Sequence, residues 1–209
     1  MTTPEQSKDL RAKYRLQTAH AIVEAYVSLV EEGETAAGSM AHVAARAGTS
    51  ERTVHRHYPT RVDLYAAAGE YINSEVFGLI EMSSLRDLPD VYARVVELYE
   101  RRPRLAMLMA RSATFQPLRT GFRAALHTRL EQLFDAEYPE ADSAIRRRAI
   151  AGLSYLDSVT AWAALRQESG LDGFEVAETV GWLMKLVLND VDRDHVIFGT
   201  EPNTSTRKL

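Results

Sequence analysis

The sequence predicts an all-α fold, and three observations carry that expectation. Apolar residues recur at the 3.6-residue spacing of a helix face along most of the 209 residues. No stretch shows the period-two alternation of a half-buried strand. The interruptions fall on residues that end or begin helices: Gly33, Gly48, Pro59, Pro103, Pro117 and Pro139.

Met1 to Gln6 is polar, contains Pro4 and reads as a terminal arm. A first helix is expected from about Ser7 to Glu32, with Leu16, Ala19, Ile22, Val23, Tyr26, Leu29 and Val30 on one face and Gly33 at its end. After the connection Glu34 to Gly38, the stretch Ser39 to Tyr65 reads as two short helices, a tight turn between them, and the start of a longer helix near Arg61. Ala44, Ala45 and Ala47 are small enough to let two helices approach closely, and Gly48 supplies the left-handed conformation that ends the first of the pair. Ser50 is suited to cap the second, its hydroxyl accepting from the N–H of Arg52 or Thr53. Val43 and Val54 are the apolar anchors, Tyr58 joins Val54 in the core, and Pro59 drives Tyr58 out of the helical region.

The helix from Arg61 is expected to continue to Ile80 on a stripe of Tyr65, Ala68, Ile72, Val76 and Leu79, leaving the small domain as a continuous connection. A loop, Ser83 to Pro89, precedes a short helix carrying Val91, Tyr92, Val95, Val96, Leu98 and Tyr99. Pro103 begins the next, with Leu105, Leu108 and Met109 inward; Pro117 opens another, faced by Leu118, Phe122, Leu126, Leu130, Leu133 and Phe134. Two long apolar helices close the chain, about Ala141 to Glu168 and about Gly173 to Asp190, with a polar tail after Asp192. Trp162, Trp182, Met184, Leu186 and Leu188 widen the apolar surface beyond one stripe. A helix apolar on much of its circumference needs cover on more than one side, either deep in the core or from a second subunit. The favoured expectation is a homodimer through a four-helix bundle, two helices from each chain.

Composition narrows the function classes. The formal charge is −4, and residues 1–65 sum to zero, so any contact with a polyanion must come from local patches. Two such patches stand out: Lys8, Arg11, Lys13 and Arg15, and then Arg46, Arg52, Arg56 and Arg61. Without cysteine there is neither a disulfide framework nor a thiolate zinc site. With no leader-like segment or membrane-length apolar run, the expected location is the cytoplasm. No Gly-rich phosphate loop, G-x-S-x-G elbow or H-E-x-x-H occurs, which argues against an enzyme; no cofactor is expected, and His55 and His57 at i, i+2 do not share a helix face, so no metal site is expected either.

A Gly-turned helix pair with a basic second helix is the pattern of a helix-turn-helix, whose second helix enters the DNA major groove. Its early exposed positions, Glu51, Arg52, Thr53, His55 and Arg56, are the candidates for base edges, Arg bonding guanine in two places and Thr meeting a thymine methyl or a phosphate. Ser39, opening the first helix of the pair, is a candidate phosphate contact.

The same stretch resembles the TetR family of bacterial one-component regulators. Their signature appears here as Ala44-Ala45-Arg46-Ala47-Gly48-Thr49-Ser50, then Thr53-Val54-His55-Arg56-His57-Tyr58-Pro59, then Arg61-Val62-Asp63-Leu64-Tyr65. It departs from that signature in two places: His55 stands where the family usually has Tyr, and the connection Glu34 to Gly38 is about two residues longer. The resemblance implies a helix-turn-helix DNA-binding domain over residues 1–60 and a helical regulatory and dimerisation domain over residues 61–209. It implies a phosphate contact at His57 and another at Arg61. It also implies a homodimeric repressor that leaves a palindromic operator when a small-molecule effector binds the C-terminal helices.

Candidate effector contacts are Met107, Arg111, Phe115, His127, Tyr155, Trp162 and Arg166, with Met109 and Asp157 beside them. Asp157 is unusual as a carboxylate inside an apolar run, where it needs a partner or an exposed edge. Two alternatives stay open at this level: an activator with the same fold, and an all-helical adaptor that binds protein through its last helix and leaves the Arg-rich second helix unexplained.

Overall fold

The computed structural model describes residues 4–33, 39–78 and 80–198, and every regular element in them is helical. The chain separates into two units, residues 1–79 and 80–209. The division falls later than the boundary expected at residue 60, because the helix that begins at Arg61 packs on the first helix.

Helix α1 (Pro4–Glu31) begins inside the segment expected to be an arm. Its C-terminal half carries the core residues Ile22, Val23, Ala25, Val27 and Leu29. Leu16, expected on that buried face, is 72% exposed; the apolar stripe extends past the point where neighbouring helices cover it. Helices α2 (Met40–Arg46), α3 (Glu51–His57) and α4 (Arg61–Tyr71) all pack on α1. Val43, Val54, Leu64 and Ala68 are fully buried, and each of the first three contributes roughly 1.5–3 kcal/mol by leaving water. The longer connection expected at Glu34 to Gly38 lies outside the described residues.

The helix from Arg61 does not run on regularly to Ile80. Thr60 and Asp63 form a reciprocal capping box that the sequence reading missed, and α4 then passes into a π-helical turn over Ile72–Val76. The Phe77 N–H reaches back five residues to the Ile72 carbonyl at 2.8 Å. The Ser74 hydroxyl donates to the Glu70 carbonyl at 2.9 Å, a local bond that competes with the helix ladder. Gly78 is required where it stands, since a Cβ there would lie 2.9 Å from the Ser74 carbonyl oxygen.

In the second unit a 3-10 turn (Leu85–Asp87) leads into α5 (Leu88–Arg101), so the expected loop Ser83 to Pro89 is partly helical. The Glu137 carboxylate accepts from the Leu85 N–H at 2.9 Å and the Ser84 hydroxyl at 3.2 Å, tying that turn to a helix that ends at Glu137. Helices α6 (Pro103–Arg111) and α7 (Gln116–Glu137) begin at or one residue before Pro103 and Pro117, as expected from proline's tolerance in a first turn.

The expected single helix from Ala141 to Glu168 is two helices, α8 (Ser143–Leu156) and α9 (Val159–Glu168), with Asp157 and Ser158 at the break. The Ser158 hydroxyl accepts from the Ala161 N–H at 3.1 Å and donates to the Tyr155 carbonyl at 2.7 Å, so one side chain ends the first helix and caps the second. The last helix, α10 (Gly173–Phe198), runs past the expected end at Asp190. It packs against α5, α8 and α9, while α6 packs on α9 and α7 on α8.

Candidate nucleic-acid interface and candidate interior site

The α2–α3 pair is built as its residues require. Gly48 has φ +63°, the Thr49 N–H reaches the Ala44 carbonyl at 2.9 Å and the Gly48 N–H the Ala45 carbonyl at 3.2 Å, which closes α2 in a Schellman turn. No other atom crowds Gly48, so the glycine is needed for its dihedral angle alone. Replacing it with Val should cost roughly 1–2 kcal/mol of stability through the left-handed penalty, measurable by denaturant unfolding; an unchanged midpoint would show that the turn relaxes without glycine. Ser50 caps α3 by accepting from the Thr53 N–H at 3.2 Å. Tyr58 is half-buried and its hydroxyl donates to the Ala19 carbonyl at 3.3 Å, which pins the end of α3 to α1.

This packing fixes which side chains of α3 remain outside. Glu51, Arg52, His55 and Arg56 are exposed, Thr53 is half-buried, and Arg61 is exposed at the start of α4. Glu51 lies 3.8 Å from the His55 ring, and the His55 Nδ1 lies 3.3 Å from the Pro59 carbonyl, so these two side chains have partners on their own helix and turn. Thr53 Oγ1 sits 2.9 Å from the capping Ser50 hydroxyl. Ser39 is half-buried and spends no side-chain bond on capping α2.

His57 is half-buried with its Nε2 covered and without a hydrogen-bond partner among the described residues, which leaves Nδ1 as the ring nitrogen a phosphate can meet. Burial, followed by the charges of Arg56 and Arg15, pushes its pKa below the ordinary imidazole value, so the ring is neutral at neutral pH. Arg46 departs from the expected basic face: it forms a two-pronged ion pair with Glu32 at 2.7 and 2.5 Å, and so ties α2 to the end of α1. The side chains of Lys8 and Arg11 lie outside the described residues.

The residues expected to contact an effector do not converge on one interior site. Arg111, His127 and Tyr155 are exposed on the second unit, His127 beside Glu131 at 3.7 Å. Phe115 is buried and Met107 half-buried. Trp162 and Arg166 are brought together, but by a third residue that the sequence reading missed. The Trp162 Nε1 donates to Glu100 at 2.9 Å, and the Arg166 Nε lies 3.2 Å from the same carboxylate oxygen. Glu100 also lies so close to Gly173 that a Cβ there would meet its side chain at 2.5 Å. These groups are occupied in joining α5, α9 and the start of α10.

A different cluster lies near the break after α8. Asp157 is half-buried, and desolvation raises its carboxyl to about 6. Its charge in turn raises the buried phenols Tyr92 and Tyr99 of α5, after their own desolvation. The hydroxyls of Tyr92 and Ser154 are fully covered and meet no hydrogen-bond partner among the described residues. Neither the tyrosines nor Ser154 had any mark in the sequence beyond an apolar helical stripe. For Asp157 the available signal was the Asp-Ser pair, a stop followed by a cap.

On the outside of the same unit, Phe174 (75% exposed), Trp182 (60%) and Leu186 (43%) lie along α10, with Tyr155 (59%) on α8. Trp162, Met184 and Leu188, which the sequence grouped with them, are core residues. Among the described residues no helix is long and apolar enough to cross a membrane, and no group of three or more His, Asp or Glu side chains is arranged to hold a metal ion.

Comparison with known proteins bears on the first unit most directly. Residues 22–68 match the family described as bacterial regulatory proteins, tetR family. No curated protein sequence matches the chain. Among solved structures, the fold is similar to that of NalD of Pseudomonas aeruginosa, the secondary repressor of the MexAB-OprM multidrug efflux pump. One NalD structure has 21% identity and TM-score 0.62, covering 82% of this chain and 95% of that one. A native NalD structure has 19% identity and TM-score 0.61, covering 83% and 96%.

Proposed function

We infer that this chain, a DNA-binding regulator whose N-terminal domain belongs to the tetR family of bacterial regulatory proteins, acts in the cytoplasm as a homodimeric repressor. It binds a palindromic operator and is released by a small molecule held in its second unit. The observation that carries the DNA-binding part is the α2–α3 pair, in which the Gly48 turn and the Val54 anchor leave Arg52 and Arg56 exposed on one short helix. Supporting the dimer is the row of exposed apolar side chains on α8 and α10, larger than isolated surface hydrophobes need. A two-fold dimer presents two α3 helices to one face of the duplex, with half-sites about one helical turn apart or a multiple of it. The reading assigns no enzyme activity.

In this reading Glu51, Arg52, Thr53, His55 and Arg56 face base edges, while Ser39, His57 and Arg61 meet phosphates. Selection from a random duplex pool, followed by titration across a salt series, tests it: a palindromic consensus bound with a steep salt slope is expected, and uniform binding of all duplexes at low salt only would overturn it. Arg52→Ala or Arg56→Ala should relax sequence preference by roughly 1–3 kcal/mol. Arg61→Ala should instead weaken every duplex to a similar degree and flatten the salt slope by about one. An Arg61 variant that altered only sequence preference would reverse that division of roles.

A further inference from the structure

We propose that α3 reads a C·G base pair, with Glu51 and His55 acting together as acceptors for the cytosine N4 amino group. This rests on the DNA-binding reading above and names the base edge that one strip of α3 selects.

The His55 ring has its proton placed by its neighbour. A neutral imidazole carries one N–H, and the Pro59 carbonyl, which can only accept, lies 3.3 Å from Nδ1. The proton therefore belongs on Nδ1, and Nε2 keeps a free lone pair. That nitrogen lies 3.8 Å from the Glu51 carboxylate, too far for a hydrogen bond between the two. Both atoms are acceptors, and the His55 and Glu51 side chains are 49% and 55% exposed. A single amino nitrogen about 2.9 Å from each, the ordinary hydrogen-bond distance, closes a triangle on that base. Glu51 and His55 are one turn apart, so together they form a short acceptor row along α3.

Beside that row runs a second of opposite sign. Arg52 and Arg56 each follow one residue later, are exposed, and have no hydrogen bond or ion pair among the described residues. Thr53, Val54 and His57, half-buried or buried, take up the rest of the circumference. In the major groove, cytosine offers the N4 amino donor alone, and its guanine partner offers two acceptors, O6 and N7. Adenine also has an amino donor, N6, but carries the N7 acceptor on the same base, which an acceptor row meets unfavourably. Guanine and thymine present no amino donor there. The C·G pair sets a donor base beside an acceptor base, the pattern that an acceptor row beside an arginine row requires.

The test uses the full chain at pH 8, above the range in which imidazole ordinarily takes up a second proton. Selection from a random duplex pool should return a C·G pair in each half-site that depends on Glu51 and His55. Glu51→Gln should lower discrimination for that cytosine roughly five- to a hundredfold and shift it toward adenine, whose N6 and N7 match an amide. His55→Phe keeps a ring without the acceptor and should weaken the same preference while the rest of the consensus stands. The decisive measurement replaces that cytosine with 2-pyrimidinone, which lacks only the amino group. Wild type should lose at least about fivefold more affinity than the Glu51→Ala, His55→Phe double variant, a difference in which the weakened base pairing cancels. A consensus without a C·G pair that responds to these variants, or equal losses in wild type and double variant, overturns the proposal alone. Absence of specific binding to any duplex overturns the DNA-binding reading, and the proposal with it.

Discussion

Trp182→Glu combined with Leu186→Glu should convert the proposed homodimer into a monomer. Both side chains are exposed on one chain, at 60% and 43%, and lie one turn apart on α10. Tryptophan is among the residues whose loss costs an interface most, commonly 2 kcal/mol or more, and a two-fold interface contains each substitution twice. A loss of at least about 4 kcal/mol follows, roughly a thousandfold in the dimer constant. Because neither side chain is in the core of its own unit, unfolding of the monomer should change by no more than about 0.5 kcal/mol. Sedimentation equilibrium checks the first expectation and denaturant unfolding the second. Operator affinity should fall with the dimer, since a single α3 reaches one half-site only. A double variant that remains dimeric would remove this face of α10 from the interface and send the search to α8 alone.

Asp157→Asn should make the protein more stable. The carboxyl titrates near 6 in the folded chain against its ordinary 3.8, so folding favours the protonated form. Below about pH 4 the group is protonated in both states and costs nothing by ionisation. As pH rises from 4 through 6 the unfolded chain releases its proton first, and the folded chain loses stability until the penalty is complete above 6. About two pKa units correspond to roughly 3 kcal/mol, reduced in the variant by the unpaired amide of Asn. The expected gain is therefore about 2–3 kcal/mol at pH 7 and close to none at pH 4, read from urea unfolding at the two pH values. A gain that did not depend on pH would mean that the carboxylate charge is not its source.

Much of the first unit was legible in the sequence because its determinants are local. Gly48 announces a left-handed turn, Ser50 a cap, and Pro59 a stop, each within a few residues of the structure it forms. Val54, expected in the core, is fully buried, whereas Tyr58, expected there with it, is half-buried with its hydroxyl on the Ala19 carbonyl. What spacing could not show is where a side chain finds its partner. Arg46 reads as one of four exposed arginines, yet Glu32, fourteen residues earlier in the chain, takes it into an ion pair. Leu16 continues the α1 stripe in register, but no neighbouring helix covers it there.

In the second unit the balance shifts toward tertiary structure. Periodicity located every long helix and hid the break at Asp157, because the apolar stripe stays in phase on both sides of it. The candidate effector residues were chosen by type, as Met, aromatic and basic side chains, and type does not distinguish inside from outside. Tyr155, Arg111 and His127 are exposed, while Trp162 and Arg166 are joined to Glu100. By itself the sequence determined the all-α class, the helix-turn-helix, and the outward placement of Glu51, Arg52, His55 and Arg56, though not the half-burial of Thr53, since these depend on turns, caps and a 3.6-residue period. Only the tertiary structure decided that α4 loosens into a π turn, that α8 and α9 part at Asp157, and that the Tyr92 and Ser154 hydroxyls are covered without a hydrogen-bond partner among the described residues. Those facts depend on which helices pack together, and residues distant in sequence meet there without any local mark.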